Sequence, residues 1–288
     1  MKFYIVDAFT DELFGGNPAG IVFLDTDFPR DEIMRKTAAE LRYSETAFIK
    51  QLSDKEFNIR YFTPAEEVDL CGHATIASFV AMQEEKLVSS NGNYVLHSKA
   101  GILEIEIKDG FVMMEMGEAT LSNEISDDEA LKELYEIMGI DVHRRPSLIP
   151  QMASTGLMDI MMPVEDEKAL NDISPDFRAL SELSRKYEVV GVHAFCLAVE
   201  DERKEGITAH CRNFAPLYEI DEEAATGTSN GALTHYLFEH DIITDDSTCL
   251  FIQGEAMNRP SKIRSHISNG KIMVGGGAVI LASGEINI

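Results

Sequence analysis

Two short stretches of the chain gather groups able to move protons or hold an anion. Glu45 lies in Arg42-Tyr43-Ser44-Glu45-Thr46-Ala47-Phe48-Ile49, between a helical pattern and an apolar strand. A carboxylate at the mouth of such a strand is partly desolvated, which raises its pKa and suits it to general acid/base work. Cys71-Gly72-His73 opens an apolar helical stretch. A helix start there offers backbone N–H groups, a positive dipole end and an imidazole together, a set suited to a carboxylate or a developing enolate. A second corner holds Glu222, Glu223, Thr226, Gly227, Thr228 and Ser229, again at a helix start. Its N–H groups make an anion nest. By position alone a solvated surface glutamate is the simpler reading of Glu45. A self-capping His73 and a Ser/Thr helix cap at the second corner stand beside the functional readings.

A duplication favours the functional reading of both corners. Tyr61-Phe62-Thr63-Pro64-Ala65-Glu66-Glu67-Val68-Asp69 returns as Asn213-Phe214-Ala215-Pro216-Leu217-Tyr218-Glu219-Ile220-Asp221, with Phe, Pro, Glu and Asp each 152 residues apart. Half a chain between copies means two related halves, not a solenoid. Two such corners facing each other across an inter-domain cleft would make a small-molecule site. Paired thiols, one per corner, would make a two-base racemase. The second corner has Ala224 and Ala225 and no cysteine, so that pairing is excluded, and Cys71 reads as a small buried residue behind the turn.

The elements that must position these residues follow from hydrophobic period. Strand patterns fall at 3–8, 20–24, 46–50, 57–62, 94–97, 102–107 and 111–116, with Asp109-Gly110 a hairpin signal. A helix over 29–41 has Asp31 and Glu32 at its positive end. The stretch 73–82 is apolar nearly all round, as a helix buried on every side must be. The second half repeats the theme with strands at 148–152, 159–164, 190–199, 208–214 and 250–253 and a central helix over 227–238. Amphipathic helices fall at 127–138 and 176–186, and strands at 271–274 and 278–281 flank Gly275-Gly276-Gly277, a bulge or crossing point. The expected fold is α/β (α+β): two similar domains, each a mostly antiparallel barrel-like sheet around a central helix. The expected domains are 1–118, joined by a terminal strand near 278–288, and 119–277.

The chain has 288 residues and a net charge of −25. That field opposes nucleic acid and anionic membranes as partners, though a local site can still take an anion. No stretch of 18 or more apolar residues exists to span a membrane. Cys71, Cys196, Cys211 and Cys249 show no metal-binding spacing, so a reduced cytoplasmic protein with buried thiols is expected.

Several ordered motifs together resemble the PhzF (phenazine-biosynthesis-like) family, a branch of the diaminopimelate-epimerase-like superfamily. They are Val6-Asp7-Ala8-Phe9-Thr10, Gly16-Asn17-Pro18-Ala19-Gly20, Ser44-Glu45-Thr46-Ala47-Phe48, Cys71-Gly72-His73-Ala74-Thr75, Arg212-Asn213-Phe214-Ala215-Pro216, Ala225-Thr226-Gly227, Gln253-Gly254 with Arg259-Pro260-Ser261, and Gly275-Gly276-Gly277. The resemblance implies a homodimeric isomerase that shuttles a proton without cofactor or metal, as the family's namesake does on trans-2,3-dihydro-3-hydroxyanthranilate. It implies Glu45, His73 and Glu223 as catalytic, and Ser44, Gly72, Gly227 and Thr228 as binding a small carboxylate substrate. At the second corner the family has Glu-Asp-Pro-Ala-Thr-Gly. Here Glu223 stands for the aspartate and Ala224 for the proline. An amino-acid racemase or epimerase, and a non-catalytic binding protein on the same scaffold, are the alternative readings.

Overall fold

The computed structural model describes residues 1–288 and divides into two compact units, Met1–Glu115 with Gly275–Ile288, and Met116–Val274. The chain runs β1 (Lys2–Ala8), β2 (Asn17–Phe23), α1 (Asp31–Leu41), β3 (Thr46–Gln51), β4 (Glu56–Phe62), β5 (Glu67–Val68), α2 (Gly72–Glu84), β6 (Gly92–Ser98), β7 (Gly101–Lys108) and β8 (Phe111–Glu115). The second unit follows with β9 (Thr120–Glu124), α3 (Asp128–Ile137), β10 (Gln151–Ser154), β11 (Met158–Pro163), α4 (Glu167–Asp172), α5 (Phe177–Tyr187), β12 (Gly191–Leu197), α6 (Glu200–Lys204), β13 (Ala209–Ala215), β14 (Ile220–Glu223), α7 (Gly227–Glu239), β15 (Thr248–Gln253), β16 (Ser261–Ser268) and β17 (Lys271–Gly276). The chain returns to the first unit within Gly275-Gly276-Gly277 and ends in β18 (Ala278–Glu285).

The two units share one strand topology. In the first, β1 lies antiparallel between β18 and β2, β2–β3 is parallel, β3–β4 antiparallel, β4–β6 parallel, and β6–β7–β8 an antiparallel meander. In the second, β10 lies antiparallel between β9 and β11, β11–β12 is parallel, β12–β13 antiparallel, β13–β15 parallel and β15–β16 antiparallel. The mixed, mostly antiparallel α/β fold read from the sequence is the observed one. The Asp109-Gly110 hairpin has both turn residues at positive φ, 51° and 85°, the backbone such a two-residue loop demands.

Each unit buries one helix along its length. α2 packs on β1, β2, β3, β8 and β18, and Ala74, Ile76, Ala77, Phe79, Ala81 and Met82 are all shut away from solvent. α7 packs on β9, β10, β11 and β16. A fully buried side chain such as Phe79 contributes about 2–3 kcal/mol, so the all-round apolar pattern forces α2 to the inside, whereas α7 also buries Ser229, Asn230 and Thr234, each of which makes a side-chain hydrogen bond. α3 and α5 cover the second unit's outer face, and their N-cap residues, Asp127 and Asp176, accept two backbone N–H bonds each.

The duplication runs further than the sequence match. Arg60 on β4 makes a bidentate pair with Glu67 on β5, at 2.7 and 2.8 Å. Arg212 on β13 makes the same pair with Glu222 on β14, at 2.8 Å twice. Arg60 and Arg212 keep the 152-residue spacing, whereas Glu67 and Glu222 are 155 apart, as are Gly72 and Gly227, the first residues of α2 and α7. The three-residue 3₁₀ turn Pro216–Tyr218 accounts for the change. The structural partner of Glu67 is therefore Glu222, not the Glu219 that the sequence match aligns.

Candidate active site

The first corner is assembled by three chain turns. α1 ends in a left-handed cap at Arg42 (φ 61°), whose N–H bonds Ala38 O. Tyr43, Ser44 and Glu45 then lead directly into β3. The Glu45 carbonyl accepts the Gly20 N–H at 3.2 Å, which pins the residue to the neighbouring strand. A side chain at Gly20 would meet Thr46 Oγ1 at 2.9 Å and Leu41 Cδ1 at 3.0 Å, so glycine permits this approach. Cys71, in extended conformation, caps α2 without a side-chain capping bond to the helix, and Gly72 and His73 form its first turn.

His73 is 4% exposed and sits at the centre of the group. Its Nε2 lies 3.3 Å from Glu45 Oε2 and 3.4 Å from Ser44 Oγ. Its Nδ1 lies 3.2 Å from Asn17 Nδ2 and 3.4 Å from Cys71 Sγ. Burial holds the imidazole below its ordinary pKa, against an opposing pull from Glu45. The ring is thus neutral near pH 7. With the Asn17 amide donating to Nδ1, its proton belongs on Nε2, facing Glu45 and Ser44. Glu45 Oε2 is sealed from solvent without a hydrogen-bond partner.

Glu45, Ser44, Gly72 and His73 therefore come together at one corner. Asn17 and Cys71 join them and were not singled out as site residues from the sequence. Asn17 lay inside a quoted motif. Cys71 is buried, as the sequence reading expected, and its Sγ lies beside the histidine. The donor atoms of Glu45, Cys71 and His73 all lie within 4.8 Å of one another, a set that could also hold a metal ion.

The second corner carries Glu223, Gly227 and Thr228. Thr226 caps α7 without a side-chain bond to the helix, and its hydroxyl donates to Glu223 Oε2 at 2.9 Å. Gln253 fixes the turn: its amide donates to the Glu223 carbonyl at 2.7 Å, and its Oε1 accepts from Asn230 Nδ2 at 2.8 Å and from the Thr226 N–H at 3.3 Å. Ser261 Oγ donates to the Ala224 carbonyl at 2.8 Å. These bonds hold the turn in place of the proline ring that Ala224 lacks.

The duplication brings out an asymmetry of chemistry. Gly20 pairs with Thr46 in the first unit, and Thr46 with Phe62; in the second, Ile160 pairs with Val192, and Val192 with Phe214. Glu45 then corresponds to Gly191. A Cβ at Gly191 would meet Phe214 O at 1.9 Å, so no side chain fits there. Cys71 and His73 correspond to Thr226 and Thr228. One copy of the motif holds a carboxylate, a thiol and an imidazole, and the other holds no strong acid or base at these positions.

The fold of two like units, each around a buried helix, is of the diaminopimelate-epimerase-like class. The chain belongs to the phenazine biosynthesis-like (PhzC/PhzF) family, whose model matches residues 6–284. It is 33% identical to an uncharacterized isomerase of Clostridium acetobutylicum, covering 98% of this chain and 97% of that protein. The crystal structure of a PhzF-family phenazine biosynthesis protein of Bacillus anthracis matches with a TM-score of 0.87 at 26% identity, covering 100% and 99% of the two chains. A probable proline racemase of Agrobacterium radiobacter matches with a TM-score of 0.67 at 10% identity, covering 100% and 93%, a likeness of fold alone. Family and relatives together support an isomerase-type function. No helix is long and apolar enough to cross a membrane.

Proposed function

We propose that this protein is a cofactor-independent isomerase that moves a proton between two positions of a small carboxylate-bearing molecule. Glu45 is the group that takes the proton and returns it. His73, neutral and protonated on Nε2, and Ser44 orient the Glu45 carboxyl and the substrate's polar groups. Gly72, Gly227 and Thr228 are assigned to substrate binding on the strength of the helix starts they occupy, and Glu223 to holding a polar group of the substrate. The homodimer implied by the family resemblance and the cytoplasmic setting read from the cysteines belong to the same proposal, and sedimentation of the purified chain tests the first.

The observation that carries the reading is the sealed Glu45 Oε2 at 3.3 Å from His73 Nε2, in a corner whose equivalent position in the second unit, Gly191, has no room for a side chain. One carboxylate that collects a proton and redelivers it fits such a one-sided site. A racemase working both faces of a carbon needs a second base; neither Gly191 nor Thr226 is one, which leaves only the Glu223 carboxylate of the second corner for that role. The test is deuterium wash-in from D₂O into a panel of small carboxylates and aminocarboxylates, with wild type and Glu45→Gln in parallel. The wild type should label at least one member, and the variant should lose a factor of about 10²–10⁴ in rate, the usual worth of a positioned acid/base. A variant that keeps more than about a tenth of the rate removes Glu45 from the role. Inversion at the labelled centre would turn the reading to an epimerase.

A further inference from the structure

His210 on β13 lies outside the corner chemistry and has an unusual set of neighbours. Its side chain is 6% exposed. Nδ1 bonds Glu255 Oε2 at 2.8 Å. Nε2 is sealed from solvent and makes no hydrogen bond. It points at two carboxylates, with Glu202 Oε1 at 3.3 Å and Glu167 Oε1 at 3.7 Å. The donor atoms of Glu167, Glu202 and His210 all lie within 4.8 Å of one another. Glu202 is held ready, because its other oxygen accepts the Val199 N–H at 2.9 Å at the start of α6. Glu167 opens α4, and Glu255 lies in the 3₁₀ turn Glu255–Met257. All four residues belong to the second unit.

We propose that Glu167, Glu202 and His210 form a binding site for a divalent cation of the zinc class, with Glu255 orienting the imidazole. Zinc bound by nitrogen and carboxylate oxygen at about 2.1 Å in a tetrahedral shell sets its ligand atoms about 3.4 Å apart. The 3.3 and 3.7 Å separations at His210 Nε2 match that edge within the reach of a side-chain adjustment. Glu255 supplies what a ligating histidine needs on its far nitrogen: a carboxylate that takes the Nδ1 proton and leaves the Nε2 lone pair for the ion. Charge agrees, since three carboxylates surround one imidazole, and an imidazolium would balance only one of them. Glu167 is 45% and Glu202 26% exposed, so an ion and a fourth, water ligand can enter from solvent. The set joins α4, α6 and β13, and its role is to tie these three elements together. The ligands lie far apart in sequence, which is why no metal spacing is visible there.

A proton is the competing occupant. Burial lowers the His210 pKa, but the Glu255 hydrogen bond and the surrounding carboxylates outweigh it and raise the net value. Metal binding must then expel protons and weaken as pH falls.

The test is titration of the tag-free full chain with ZnCl₂, and with CoCl₂ as a spectroscopic probe. Binding is read by calorimetry and visible absorption, alongside the melting temperature. One equivalent should bind saturably at pH 7.5 and raise the melting temperature. Glu202→Gln and Glu167→Gln, both at partly exposed positions, should keep the fold by circular dichroism and weaken binding at least tenfold. Glu255→Gln should weaken it about 10–100-fold, as loss of an orienting partner does. Cys71→Ala should bind as wild type does, which assigns the ion to this cluster and not to the Glu45 corner. The proposal fails if wild type shows no saturable Zn²⁺ or Co²⁺ binding, if it takes Ca²⁺ in preference to both, or if Cys71→Ala abolishes binding while Glu202→Gln retains it.

Discussion

At the scale of single residues, Cys71 is the most instructive. Its Sγ touches the imidazole of His73, yet the matching position in the second unit is Thr226. A thiol that the matching corner does without reads as a packing group and not as one of a pair of bases. Its contribution is packing around Nδ1, where Asn17 also binds. Cys71→Ala should therefore cost less than about tenfold in kcat/KM, and roughly 1 kcal/mol of stability for the small void it leaves. Steady-state kinetics and urea unfolding read the two effects. Inactivation by one equivalent of iodoacetamide at Cys71, blocked by substrate, would make the thiol a participant and end this view. Glu45 itself was visible in the sequence only as a carboxylate at a strand mouth. Its pairing with His73 bridges 28 residues and needs the β2–β3 parallel pairing to form, which no local pattern encodes. The motif resemblance, not residue spacing, brought the two together on paper.

At the scale of elements, a buried polar chain links β11, α7, β13 and β12. Ser229 Oγ donates to Asp159 Oδ2 at 2.6 Å, Asn213 Nδ2 donates to Ser229 Oγ at 3.1 Å, and the same amide lies 3.2 Å from His193 Nδ1. Burial raises Asp159 to about 6, against the Ser229 and Gly191 bonds that lower it. Burial pushes His193 down to about 3. The signs oppose each other. A depressed histidine gives stability that is complete above its unfolded pKa of 6.5 and is lost as pH falls toward 3. A raised aspartate gives stability at low pH that is lost as pH rises from 3.8 through 6. The wild-type pH profile mixes the two, so the difference between wild type and His193→Gln isolates the histidine. The variant should be the less stable at pH 7. The gap should narrow by about 2 kcal/mol at pH 5, where wild type bears the cost of keeping His193 unprotonated. Urea unfolding at both pH values measures it, and an unchanged gap would mean that His193 titrates normally in the fold. The elements differed in legibility for physical reasons. α2 was readable because a helix buried on all sides is apolar on all sides, and α7 because it follows the second copy of the repeated motif as α2 follows the first. β16 was missed because its inward positions are Ser261, Ile263, Ser265 and Ile267, and two inward serines break the alternating signal. β9 shows no strand pattern in the sequence because its exposed residues carry no alternation, and only pairing with β10 makes it a strand.

At the scale of the whole molecule, charge dominates. The chain has 50 acidic residues against 25 Lys and Arg, so half of the carboxylates lack a basic partner even if every base is paired. The pairs that do form are largely exposed, such as Lys36–Glu32 and Lys168–Asp172 on single helix faces. Each such pair is worth about 0–1 kcal/mol. Self-repulsion of the excess charge acts over the Debye length, roughly 30 Å at 10 mM salt and about 8 Å at 150 mM. Salt should remove more repulsion than pairing, because repulsion is long-ranged and the pairs are in contact. The melting temperature should therefore rise steadily between 10 and 150 mM NaCl. Screening worth about 1 kcal/mol would appear as roughly 2–4 °C. A carboxylate substrate meets the same field, so its kcat/KM should climb over the same salt range while that of a neutral amide analogue stays level. Differential scanning fluorimetry across a salt series at pH 7.5, with metal chelated, decides the stability part. A flat or falling melting temperature would mean that local pairs, not net charge, set the electrostatic balance of this fold.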